Sequence, residues 1–107
     1  MATIEKGKPF SPGEIINYSS NSVVSQTILK MPSGNITLFS FDKGEGLSEH
    51  SSPHEAFIVI TDGSAEISID GKPNIVSKGE SIILPANIPH ALKANDAFKM
   101  ILVMIKS

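Results

Sequence analysis

The residues of this sequence that are best suited to chemistry are its three histidines, because imidazole both ligates metals and exchanges protons near neutral pH. Two of them, His50 and His54, lie within the segment EHSSPHEAFIVITDG (49–63), and His90 follows in PANIPHALKA (85–94). The chain has no cysteine, which excludes thiolate nucleophiles and cysteine-ligated zinc. Three imidazoles, with water in a fourth position, would be enough to hold a metal ion.

The position of His54 decides whether all three imidazoles can share one ion. On a straight strand, residues four apart lie about 13 Å from each other. The intervening Ser-Ser-Pro favours a change of direction, because Pro53 lacks the N–H of a continued central strand. We therefore predict that His50, His54 and His90 hold a divalent transition metal, either Zn, Ni, Mn or Fe. Two alternatives stay open: His54 is a surface residue, or the histidines line a metal-free polar pocket.

The elements that must position these residues are short strands. Runs of β-branched and aromatic residues alternate with glycine, proline and Asp-Gly turns, and no window of helical length has a 3.6-residue period. This pattern predicts an all-β sandwich or barrel of nine or ten strands, the first of them at 14–18. The Asp-Gly pairs at 62–63 and 70–71 predict tight turns. Residues 95–96 are predicted to form a hairpin between the last two strands.

The last strand, FKMILVMI (98–105), is apolar on both faces. A strand of this kind needs cover on both sides. A homodimer that covers the second face is our preferred interpretation, and a second sheet of the same chain is the alternative. Met100 and Met104 are interpreted as core residues rather than as soft metal ligands.

Length and composition predict one globular domain over residues 1–107, with residues 1–13 as a loose N-terminal arm. Apolar residues make up 40% of the chain and charged residues 19%, which is typical of globular proteins. Nine basic and eleven acidic residues are dispersed and give a net charge of -2, so we expect no nucleic-acid or membrane partner. The sequence shows no signal peptide or membrane span, and we expect a cytoplasmic protein.

Two segments resemble the two motifs of the cupin superfamily. They are GEGLSEHSSPHEAFIVITDG (44–63) and GESIILPANIPHALKA (79–94). The positions that match the spacing of the motifs are Gly44, His50, Gly63, Gly79, Pro85 and His90. The resemblance extends over nearly the whole chain and implies a small single-domain cupin, a jelly-roll barrel whose loops gather at its mouth.

The sequence departs from the metal-binding cupin pattern at two of its four ligand positions. The resemblance implies metal ligation by His50 and His90, which match. Ser52 and Ala56 stand where that pattern has a second histidine and a glutamate. The metal-binding first motif is therefore degenerate.

Two functions follow as expectations from the resemblance. The first is a metal-dependent oxygenase or isomerase that binds a small organic molecule in the barrel pocket. The alternative is a metal-free, non-catalytic cupin that binds a small molecule, with histidines to orient the ligand and Phe57 and Ile58 as apolar walls.

Overall fold

The computed structural model of the protein describes residues 3–106, which fold into two antiparallel sheets packed face to face. The strands are β1 (Val23–Met31), β2 (Gly34–Phe41), β3 (Gly46–His50), β4 (Glu55–Asp62), β5 (Ser64–Ile69), β6 (Lys72–Ser77), β7 (Ser81–Leu84), β8 (His90–Lys93) and β9 (Phe98–Ile105). The first sheet has the order β1-β2-β9-β4-β7, and the second has the order β3-β8-β5-β6. This is the all-β jelly-roll architecture that the sequence predicted.

Two stretches of the chain differ from the prediction. The strand expected at 14–18 is replaced by the short helix α1 (Pro12–Ile15), which begins at a proline whose missing N–H costs nothing there. The hairpin expected at 95–96 does not form, because β8 and β9 belong to different sheets. The chain crosses from one sheet to the other at that point. Between residues 3 and 106, no helix has the length and apolar character needed to cross a bilayer.

The two Asp-Gly turns are present, but they have different roles. Asp70 and Gly71 join β5 to β6 as a tight hairpin, with φ values of 52° and 77°. Gly63 lies where β4 leaves the first sheet and β5 enters the second. Its φ is 69°, and a Cβ atom there would collide with the carbonyl oxygen of Ala97. The turn therefore needs glycine for both its conformation and its lack of a side chain.

The core lies between the two sheets. Alternate residues of each strand point inward, so β9 contributes Phe98, Met100 and Leu102, as its pattern predicted. The rings of Phe41 and Phe98 stack with their centroids 4.5 Å apart. This aromatic packing closes one end of the barrel interior, and smaller side chains line the other end.

The N-terminal segment (residues 9–18) covers part of the outer face of the first sheet. Ile16 is buried, and Ser40 on that face donates a hydrogen bond to the carbonyl oxygen of Asn17 at 2.8 Å. The Nζ of Lys99 donates to the carbonyl oxygen of Gly13 at 2.8 Å. Residues 3–13 of the predicted loose arm thus end in a segment that is held against the sheet. Met1 and Ala2 lie outside the described residues.

The remainder of that outer face carries a line of apolar side chains that are exposed or half-buried. We call it the outer apolar row: it contains Leu29, Ile36, Val103, Phe57 and Ile83. These residues are successive cross-strand partners through all five strands of the sheet. The second face of β9 is therefore covered by the chain's own N-terminal segment at one end only. The homodimer predicted from this strand remains a prediction.

Candidate functional site

The structure brings two of the three histidines into direct contact. His50 at the end of β3 and His90 at the start of β8 are cross-strand partners in the second sheet. Their Nε2 atoms are 3.2 Å apart, and the rings meet edge to face with centroids 4.4 Å apart. His90 is buried, with 6% of its surface exposed, whereas His50 lies at the open end of the barrel. We refer to these two residues as the histidine pair.

A bulge in β3 brings the side chain of His50 into contact with His90. Gly46 and Leu47 pair with Lys93 and Leu92, and the register then shifts before His50. Leu47 and His50 are three positions apart, so a regular strand would turn them to opposite faces. The extra residue of the bulge restores His50 to the inner face. Both side chains consequently line the barrel interior.

Backbone carbonyl groups determine how the two rings are oriented. The Nδ1 atom of His50 lies 2.8 Å from the carbonyl oxygen of Ser48, and that of His90 lies 3.3 Å from the carbonyl oxygen of Ile88. A carbonyl oxygen only accepts hydrogen bonds, so these contacts favour a hydrogen on each Nδ1. In that tautomer, both Nε2 atoms carry lone pairs and face one another. A cation between or beside the two atoms would relieve their repulsion.

The histidine pair could take up a proton as its cation, but the surroundings of His90 oppose protonation. The pKa of His90 is lowered by burial first, and then by the charge of His50. Its contact with the carbonyl oxygen of Ile88 acts in the opposite direction and offsets only part of the shift. His90 therefore favours its neutral form, which is the form that binds metals.

The histidine pair lies at one end of a small cavity between the sheets, with a volume of about 130 Å³. Its remaining walls are mostly aliphatic. The apolar wall residues are Leu47, Ala56, Ile58, Leu84, Leu92, Met100, Leu102 and Met104. Ile58 is a wall residue as predicted. The prediction for Phe57 is wrong, because alternation along β4 turns its ring to the outer face.

His54 lines the same cavity but is not in contact with the histidine pair through any hydrogen bond of the structure. It is half-buried in the bend between β3 and β4, where its backbone N–H donates to the Oγ atom of Ser52 at 3.2 Å. The predicted change of direction at this point is therefore present. The carbonyl oxygen of Ser52 accepts a hydrogen bond from the backbone N–H of Asn87 at 2.7 Å, which ties the bend to the loop before β8.

The carboxylates near the histidines point elsewhere. Glu55 accepts a hydrogen bond from the backbone N–H of Ala86 at 3.2 Å, and Glu49 is exposed. Among residues 3–106, no three side chains of the types His, Cys, Asp and Glu are grouped so as to hold a metal ion. The three-histidine site of His50, His54 and His90 remains a prediction. His50 and His90 are in contact, and His54 lines the same cavity without a hydrogen bond to either of them.

Comparisons with solved structures give two close matches. A conserved protein of unknown function from Streptococcus pyogenes, SPY1581, superposes with a TM-score of 0.92 at 39% identity, over 97% of this chain and 91% of that one. A cupin 2 conserved barrel domain protein from Leptotrichia buccalis has a TM-score of 0.85 at 44% identity. That match covers 87% of this chain and 45% of the other.

Among curated proteins, a mannose-1-phosphate guanylyltransferase from Salmonella montevideo is 32% identical over 65 residues. This chain spans only 14% of that protein's length. The family model described as "Cupin domain" matches residues 37–106, which is more than half of the chain and contains the histidine pair. The motif resemblance and the jelly-roll fold are thereby confirmed, and the chain belongs to the cupin family.

Proposed function

We propose that the histidine pair holds a transition metal ion and that the adjoining cavity binds a small, largely apolar organic molecule next to it. The observation that carries the proposal is the arrangement of the two rings. Each Nδ1 faces a carbonyl oxygen, and the two Nε2 atoms are 3.2 Å apart. This is the orientation that metal-ligating histidines adopt when the other ring nitrogen is hydrogen-bonded.

The distance between the two Nε2 atoms fits a shared ion. Two nitrogen ligands of a tetrahedral ion, each about 2.0–2.1 Å from it, lie about 3.3 Å from each other. The observed separation is 3.2 Å. Two imidazoles fill half of such a coordination sphere, so the ion would keep positions for an organic ligand, for water or for a third side chain. His54 is the third ligand that the sequence predicted.

The cavity sets the size and character of the organic molecule. An apolar cavity of about 150 Å³ accepts a molecule of the size of benzene, and this one has a volume of about 130 Å³. Ile58, Leu84 and Leu92 surround the space with aliphatic groups that exclude water. The molecule would therefore carry a small apolar body, with a donor atom directed at the histidine pair.

When bound, a metal ion would supply Lewis-acid chemistry or activate oxygen or water, which is the chemistry of the predicted oxygenase or isomerase. The histidine pair would hold the ion, and the aliphatic walls would keep competing water away. Zn and Ni are favoured over Mn and Fe, because nitrogen ligands bind the later divalent ions of the first row more tightly, and no carboxylate of residues 3–106 lines the cavity.

A metal-free pocket is the second candidate function, favoured by Ser52 and Ala56 at the cavity wall, where carboxylate and imidazole ligands are missing. There the neutral imidazoles of the histidine pair would act as hydrogen-bond partners for the organic molecule. The two candidates differ in whether metal is retained.

Elemental analysis after purification in metal-buffered medium tests the proposal. We expect about one equivalent of Zn or Ni in the parent protein, lost in His50→Ala and in His90→Ala. His54→Ala reports on the third ligand: loss of the metal would support the three-histidine site, and retention would limit the site to the pair. A parent protein that takes up no transition metal, with copper tested alongside Zn, Ni, Mn and Fe, would contradict the proposal and support the metal-free pocket.

A further inference from the structure

The cavity contains soft donor atoms in addition to imidazole. Met100 and Met104, both on the inner face of β9, line it. Among residues 3–106, no carboxylate side chain lines this cavity. The potential ligands are therefore uncharged side chains, with thioether sulfur and imidazole nitrogen as the strongest donors.

Met104 lies at the same end of the barrel as the histidine pair. It is the cross-strand partner of Ala56 at the start of β4, and Ala56 in turn pairs with Leu84 at the end of β7. His50 ends β3 and His90 begins β8, so the five strand ends meet around one opening. Met104 thus stands beside the position where the metal-binding cupin pattern has its glutamate.

Met100 belongs to the other end of the cavity. It pairs with Ile60 near the far end of β4 and is packed in the core, with 2% of its surface exposed. The two methionines are four residues apart on one strand, so their Cα atoms are separated by about 13 Å. Met104, in contrast, is half-buried. A methionine side chain has three rotatable torsions, which would let its sulfur reach toward the opening.

From the sequence, Met104 is interpreted as a core residue, but its position in the cavity favours a different role. We propose that Met104 provides a thioether ligand beside His50 and His90, so that the site prefers monovalent copper to the divalent ions. This inference rests on the proposed function in one respect, namely that the histidine pair holds a metal. Thioether and imidazole donors together select Cu(I). In addition, the described part of the chain contributes no carboxylate to the cavity wall that would neutralise the ion. A single positive charge therefore costs less to bury there than a double charge.

Competition with a chromophoric Cu(I) chelator, under anaerobic reducing conditions, measures the affinity directly, and Ag(I) serves as a redox-inert probe. We expect Met104→Leu to lower Cu(I) affinity by about tenfold or more and to leave Zn affinity within about twofold. Leucine conserves the side-chain volume, so the variant keeps the packing of the cavity. Met100→Leu is the control inside the cavity, and Met31→Leu is the control on the surface, where 61% of Met31 is exposed.

X-ray absorption of the copper-loaded parent protein gives a readout that needs no variant. We expect a sulfur atom among the nearest neighbours of copper, together with two imidazole nitrogens. Copper coordinated by nitrogen and oxygen only, or equal affinity of Met104→Leu and Met31→Leu for Cu(I), would overturn the inference. The proposed function would survive either result if metal binding still required His50 and His90. Failure of the parent to bind any of these metals would overturn both.

Discussion

Ala56→Glu would restore the carboxylate of the metal-binding cupin pattern and would test whether position 56 faces the histidine pair. Ala56 lines the cavity and is 6% exposed. A glutamate at this position would place an ionised group among aliphatic side chains at pH 8. Burial of this kind raises a carboxyl pKa, by up to about 3–5 units in fully buried cases. A rise of about 2 units, from an ordinary value of about 4.3, costs about 3 kcal/mol of unfolding free energy.

The sign of the pH dependence follows from the raised pKa. The cost is absent below the unfolded-state pKa of about 4.3, grows as pH rises, and is complete above the folded-state pKa. Ala56→Gln is the matched control, because it adds the same volume without the charge. Chemical denaturation at pH 8 should therefore show Ala56→Glu about 3 kcal/mol less stable than Ala56→Gln, and the difference should vanish near pH 4.

Metal should reverse this penalty if Glu at position 56 faces the histidine pair. Zinc at about 100 times its dissociation constant adds about 2.7 kcal/mol to the stability of a protein that binds it only when folded. For a domain of this size, that corresponds to a rise in melting temperature of roughly 10 °C or more. We expect this rise for Ala56→Glu and a smaller one for Ala56→Gln. Equal stability of the two variants at pH 8, or an equal response to zinc, would refute the placement of Ala56 at the site.

Three further predictions concern the fold and the assembly. Burial and the charge of His50 lower the pKa of His90 in the folded protein. The contribution of His90 to the free energy of unfolding is therefore fully present above the unfolded-state pKa and decreases as pH drops below about 6.5. His90→Gln should flatten this part of a curve of stability against pH. Gly63→Ala should cost more than 2 kcal/mol in denaturant titrations, whereas Gly71→Ala, which has the same left-handed φ but open space, should cost only about 1–2 kcal/mol. The homodimer that we propose would pack the outer apolar rows of two copies together, so light scattering should show a dimer. Ile83→Lys should dissociate this dimer. Ile75→Lys should leave it intact, because Ile75 is equally exposed but lies on the other sheet.

The sequence was informative about strands and turns because these depend on local chemistry. The Asp-Gly pair at 70–71 predicts a tight turn, and the structure has one there, as the hairpin between β5 and β6. The partner of each strand depends on long-range packing, which local patterns do not record. The hairpin predicted at 95–96 was wrong for this reason, since β8 and β9 follow one another along the chain but belong to opposite sheets.

The site was less predictable than the fold. Motif spacing located His50 and His90, and the structure places them in contact. Simple alternation would have turned either Leu47 or His50 outward, and the bulge that admits both to the cavity leaves no clear signal in Ser48-Glu49. The proximity of Met104 to Ala56 was equally hidden, because it depends on the register between β4 and β9. Register is set by the packed barrel as a whole.

The N-terminal segment has a practical consequence for anyone who shortens or tags this protein. Leu38 and Ser40 lie on the outer face of the first sheet, yet both are almost completely buried. The hydroxyl of Ser40 donates a hydrogen bond to the carbonyl oxygen of Asn17. A version of the chain that begins at residue 19 would expose this apolar surface to solvent and to other molecules. We expect such a truncated protein to aggregate during purification. Any affinity tag should therefore be placed so that residues 9–18 are kept.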